Sequence, residues 1–122
     1  MTTFPYIVLL RSTLAALGTG RASYTVPANE TLDLSQLFVA STGIFSITDI
    51  LDSAGQHYTN ASPATPIPST LLSAAGNNYN VFKDFPYEIH IEGAKILYID
   101  IVDTSNAPNV VSLLLPGKRA TS

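Results

Sequence analysis

Ile44-Phe45-Ser46-Ile47-Thr48-Asp49-Ile50-Leu51-Asp52-Ser53 and Lys95-Ile96-Leu97-Tyr98-Ile99-Asp100-Ile101-Val102-Asp103-Thr104 follow one pattern. Each is a run of β-branched, aliphatic and aromatic side chains that closes on Asp-Ile-(Leu/Val)-Asp-(Ser/Thr). Such runs favour long strands, and the Ser53-Ala54-Gly55 and Ser105-Asn106-Ala107-Pro108-Asn109 segments that follow carry turn chemistry. Working outward, Tyr87-Glu88-Ile89-His90-Ile91-Glu92 alternates with the two-residue period of a half-buried strand. Because Gly93 separates it from the 94–103 run, an antiparallel hairpin is predicted there. Val110 to Leu115 then returns before Pro116-Gly117, which would complete a three-stranded meander.

Upstream, Ala22 to Val26 alternates ahead of Pro27, and His57-Tyr58-Thr59 is placed to return beside the 43–52 strand. Leu32 to Ala40 fits a strand or a short helix capped by Asp33 or Ser35. Pro63, Pro66, Pro68, Gly76 and a run of Asn make 61–80 mostly loop, with a helical turn open only to Ser69–Ala75. The chain therefore predicts a single all-β domain over 1–122, an antiparallel β-sandwich or single jelly roll of about eight strands with a long Pro-rich loop. Its expected core is Tyr24, Phe45, Ile47, Leu51, Ile89, Ile91, Leu97, Ile99, Ile101, Leu113 and Leu115.

Bulk chemistry narrows the function classes. Cysteine is absent, so neither a disulfide framework nor a thiolate metal site exists. A net charge of −3, with Lys and Arg totalling 6, offers no field for a polyphosphate, and nucleic acid is not an expected partner. No run approaches the ~20 apolar residues of a membrane-spanning helix, and no membrane partner is expected. The Phe4–Arg11 segment lacks a positive leader and is broken by Arg11, so it reads as the first strand rather than a secretion signal, and Pro5 favours an edge strand over a helix start.

Charged residues make up 12% of the chain, about half the usual share, while 46% of it is apolar. Ser, Thr, Asn and Gln can cover such a surface, or subunit contacts can, since interfaces are depleted in charge. The end strands, Tyr6–Leu10 and Val110–Leu115, are apolar on both faces, whereas an antiparallel sheet usually wets one. A partner subunit or the Pro-rich loop must supply the second cover. The first alternative makes Ile7, Leu9 and Leu114 the outward, interface-forming residues of a homotrimer or another closed cyclic oligomer.

Chemistry-bearing groups are sparse. Asp49, Asp52, Asp100 and Asp103 could hold calcium or serve as acid and base, but residues i and i+3 of a strand face opposite ways. Asp52 and Asp103, each ahead of a hydroxyl residue at a strand end, fit Asx-turn caps better. His57 and His90 have no metal-ligand spacing and read as surface histidines, His90 lying between Glu88 and Glu92 where a charged ring would be favoured. Asn29-Glu30-Thr31 and Asn60-Ala61-Ser62 match the glycosylation pattern no more often than chance supplies. The sequence assigns no catalytic residue, no cofactor and no metal. Tyr58, Tyr79, Phe82 and Phe85 would stack on a sugar ring if exposed, which makes a carbohydrate-binding module or adhesin domain, secreted or at a cell surface, the rival function.

From about residue 43 to 118 the order of elements runs through Ile47-Thr48-Asp49, Pro66-Ile67-Pro68, Leu71-Leu72, Phe85-Pro86-Tyr87-Glu88-Ile89, Ile99-Asp100-Ile101, Asn106-Ala107-Pro108-Asn109 and Leu113-Leu114-Leu115-Pro116-Gly117-Lys118. That order resembles small bacteriophage capsid-associated proteins. The resemblance implies a decoration, cement or minor capsid protein on the virion surface, built on a β-sandwich or jelly roll. Such a protein is commonly trimeric, lacks enzymatic activity and binds capsid protein neighbours.

Overall fold

Every second residue of the Ile96–Asp103 run is buried, as the alternation requires of a strand with one face in a core. The computed structural model describes residues 2–69, 79–82, 85 and 87–121, and among these lie ten strands. They are β1 (Thr2–Leu14), β2 (Thr19–Thr25), β3 (Glu30–Leu34), β4 (Leu37–Ser41), β5 (Phe45–Asp52), β6 (Ile67–Pro68), β7 (Tyr79–Phe82), β8 (Ile89–Ile91), β9 (Ile96–Asp103) and β10 (Asn109–Thr121). All pairings are antiparallel. The all-β expectation therefore holds.

One sheet runs β2-β9-β5-β6. In the other, β10 pairs along one side with β1 and along the opposite side with β4 and β3 in succession, and β7 and β8 flank these. If β3 with β4, and β7 with β8, are each counted as one interrupted strand, the order becomes β1, β10, β3/β4, β7/β8 facing β2, β9, β5, β6. That is the eight-strand, double Greek-key order of a single jelly roll. Between the sheets lie Val8, Leu10, Leu34, Leu37, Leu113 and Leu115 from one side and Phe45, Ile47, Ile50, Leu97, Ile99 and Ile101 from the other, all buried.

The break between β3 and β4 has a local cause. Pro116 of β10 has no N–H to donate, and its carbonyl accepts the Ser35 N–H at 3.0 Å and the Ser35 hydroxyl at 3.3 Å. The register shifts by one residue there, from Leu34 opposite Gly117 to Val39 opposite Leu113, which lets both Leu34 and Leu37 point inward three positions apart. This mixed spacing is why Leu32–Ala40 fitted either a strand or a helix. A second bulge, at Thr48, shifts β5 against β9 between Ile47 and Asp49. Ahead of it Phe45 and Ile47 face the core, and after it Ile50 and Asp52 do.

Several expectations are corrected. Leu51 is half-buried and Ile50 takes its place in the core, because the Thr48 bulge reverses the phase. Tyr24 also stays half-buried and packs on the core edge beside Tyr6. The 87–92 and 94–103 strands form no hairpin: β8 pairs with β3 in one sheet and β9 with β2 and β5 in the other. Ala94 takes a left-handed φ of 65° and exchanges backbone bonds with the β2–β3 corner, Ala94 N–H to Val26 O and Val26 N–H to Lys95 O, so the turn carries the chain across the sandwich. The meander with Val110–Leu115 fails likewise, and β10 continues through Pro116-Gly117 to Thr121. His57 returns beside Leu51 as a single bridge. Ile67 and Pro68 of the Pro-rich segment pair with Ile47 and Ser46, while the helical turn open to Ser69–Ala75 falls, beyond Ser69, outside the described residues.

Candidate interaction surface

β1 is 13 residues long and pairs without a register break from Thr2 opposite Thr121 to Leu14 opposite Asn109. Among the described residues nothing pairs with its other edge. The carbonyls of Val110 and Pro116 accept N–H groups from Thr42 and Ser35, so the even-numbered residues of β10 aim their backbone groups away from β1. Their partners in β1, the odd-numbered Thr13 to Ile7 and onward to Thr3, must then aim theirs at the free edge. Pro5 belongs to this set, and its missing N–H costs the β1–β10 ladder nothing.

The same odd residues turn their side chains outward. Ile7 and Leu9 are each 59% exposed. Across the ladder Leu9 faces Leu114, which in turn faces Phe38 of β4, and Ile7 faces Pro116. Leu114 and Phe38 are half-buried, and Val110 is exposed opposite Thr13. Thus Ile7, Leu9 and Leu114, which the alternation placed together, do share the outer face of this sheet. The edge position that Pro5 favours for the first strand is where β1 lies among the described residues, and the Pro116 carbonyl, bonded to Ser35, shows which side of β10 faces away from it.

The carboxylates are distributed as parity requires. Asp49 and Asp100 are neighbours across β5 and β9 on the outer face, whereas Asp52 and Asp103 point inward at opposite ends of that pair. Arg21 of β2 chelates Asp100, Nε to Oδ1 at 2.6 Å and the second nitrogen to Oδ2 at 2.9 Å, and lies 4.4 Å over the Tyr98 ring. The hydrogen bonds to Asp100 push the guanidinium pKa up. His57 Nδ1 sits 2.9 Å from Asp49, and His90 Nδ1 sits 2.7 Å from Asp33. Both histidines are exposed, as expected, but each is held by a carboxylate.

Asp103 and Asp52 are the expected turn caps. Asp103 accepts from the Ser105 hydroxyl at 2.6 Å, Leu17 N–H at 2.8 Å, Asn109 Nδ2 at 3.1 Å and Ser105 N–H at 3.2 Å. Burial by itself would raise this carboxyl, but these donors outweigh it and hold the pKa well below the usual carboxylate range. Asp52 accepts from Tyr58 Oη at 2.7 Å, Ala54 N–H at 2.9 Å and Gln56 N–H at 3.0 Å. Burial opposes ionisation there too and is again overcome, while burial and the bond to Asp52 push the Tyr58 hydroxyl up. Among the described residues no group of three or more His, Asp or Glu is arranged to hold a metal ion.

An open groove of about 390 Å³ lies at the Asp52 end of the sandwich, lined by Gln56, Tyr58, Glu88, His90, Glu92 and Lys95 among others. Tyr58 is half-buried there, and its hydroxyl also reaches the His90 carbonyl at 3.4 Å. Phe85 packs half-buried against the core, and Tyr79 and Phe82 lie on β7. The chain matches no protein-family model, no curated protein and no solved structure.

Proposed function

We propose that this chain is a non-enzymatic virion structural protein, a decoration, cement or minor capsid subunit at the capsid surface. It binds neighbouring capsid proteins through the outer face of β1 and β10, reinforces the shell and associates with itself as a closed homo-oligomer. The observation that carries this reading is the 13-residue β1, unpaired on one edge among the described residues and bearing the exposed Ile7 and Leu9. Edge strands of that length invite strand addition, and exposed apolar patches mark contact surfaces. Low charge supports the reading, as does the commitment of the histidines and the β5 and β9 aspartates to structural hydrogen bonds. The jelly-roll order adds a fold-level analogy, since viral capsid domains recur on it.

Lectins use this fold as well, and the groove beside Tyr58, Glu88, His90 and Glu92 favours carbohydrate binding as the second reading. Immuno-electron microscopy with an antibody to this chain, on purified virions, tests the first. Regular surface labelling is the expected result. Particles devoid of the chain, together with saturable glycan-array binding by the purified protein, would replace the structural reading with the second.

A further inference from the structure

The occupant of the β1 edge can be named. We infer that β1 pairs antiparallel with β1 of a second copy about a two-fold axis through Val8, joining two six-stranded sheets into one continuous sheet. The inference rests on the assembly reading in taking β1 as a contact surface, and it identifies the partner of that surface as the chain itself.

Three observations point there. First, the edge is long and nearly undefended. A strand of 13 residues is more than twice the ordinary length, and β1 carries no bulge. Of the devices that blunt edges it has only Pro5 and Arg11. Second, the edge is self-complementary. With Val8 set against Val8 of the second copy, Ile7 faces Leu9, Thr3 faces Thr13 and Pro5 faces Arg11, so apolar side chains meet on the outer face and no like charges oppose. In that register every outward-aimed residue from Thr3 to Thr13 is matched. Pro5 still offers its carbonyl to the Arg11 N–H, and the ladder holds about ten backbone hydrogen bonds, the number typical of a whole protein interface. Moving the axis to Ile7 or Leu9 leaves end residues unmatched.

Third, the described protomer offers β1 no other mate of comparable length. The remaining outer strands are β2 with 7 residues, β7 with 4, β8 with 3 and β6 with 2. A trimer closed through strand edges would need β1 to meet one of these head to tail. A two-fold contact alone uses the whole edge.

The absence of native cysteine makes the register directly readable. Residues that face each other as a hydrogen-bonded pair lie ~5.5 Å apart at Cα, within disulfide reach, whereas the diagonal Cβ separations of ~7 Å are not. Ile7→Cys and Leu9→Cys variants of the full chain are oxidised separately and after mixing. The mixture is expected to give a covalent dimer in several-fold greater yield than either variant alone, and wild-type protein is expected to sediment as a dimer. Amide hydrogen exchange on the unmodified protein provides a second readout, in which the Ile7, Leu9 and Arg11 amides, which find no acceptor in the protomer ladder, are protected. A monomer with rapidly exchanging odd-numbered amides, a trimer, or equal cross-linking in all three samples would overturn the inference. If virions are nonetheless labelled, the structural role stands with a different contact. A cross-linked dimer that is absent from virions would uphold the β1 pairing and remove the virion role.

Discussion

Asn109 shows how much one residue closes. Its side-chain oxygen accepts from Gly43 N–H at 3.1 Å and from the Thr42 hydroxyl at 3.2 Å. Its nitrogen donates to Gly43 O at 3.0 Å, Ile44 O at 3.1 Å and Asp103 Oδ1 at 3.1 Å. It is fully buried, and it ties the β4–β5 corner to the β9–β10 corner. In the sequence it is one more polar residue of a turn, and nothing local tells its amide apart from that of Asn106. Asn109→Ala would take the acceptor from the Gly43 N–H and one donor from buried Asp103, and would leave the Gly43 and Ile44 carbonyls to Ser41 Oγ and the Thr104 N–H alone. A loss of about 2–4 kcal/mol is expected, read as a lower urea midpoint at unchanged slope.

At the scale of elements, the informative features are the two bulges. A strict period of two assigns Leu51 to the core with Phe45 and Ile47, and the extra residue at Thr48 hands that role to Ile50, which is 6% exposed. Ile50→Lys is therefore expected to cost roughly 3 kcal/mol or more, since it would bury a charge, and Leu51→Lys less than about 1 kcal/mol, by equilibrium unfolding. The opposite ranking would mean that β5 keeps an unbroken phase. The bulge opposite Pro116 works through the missing donor of a proline, and its trace in the sequence is the spacing Leu32, Leu34, Leu37, Val39.

For the whole molecule, Asp52 and Asp103 cap the two ends of the β5–β9 pair, so acid attacks the sandwich at both ends. Both carboxyls are held below their ordinary value of 3.8 in the folded protein. The unfolded chain therefore binds protons first as pH falls, and the stabilisation from these groups is complete above that value and lost below it. Thermal unfolding is expected to show a Tm plateau above about pH 5 and a decline below about pH 4, with Asp103→Asn flattening the decline. The strand content, the alternation that buries Leu97, Ile99 and Ile101, the capping aspartates and the outward set Ile7, Leu9 and Leu114 were all legible in the sequence, because each depends on a residue and its near neighbours. What only the tertiary structure decided is which strands meet. The pairing of β1 with β10 joins the two ends of the chain, and a turn such as 92–95 reads the same whether it closes a hairpin or carries the chain to the opposite sheet. Pro5 hints at an edge strand, but that β1 is unpaired along its whole length on one side among the described residues is a property of the assembled sheet, since an edge is defined by the absence of a neighbour.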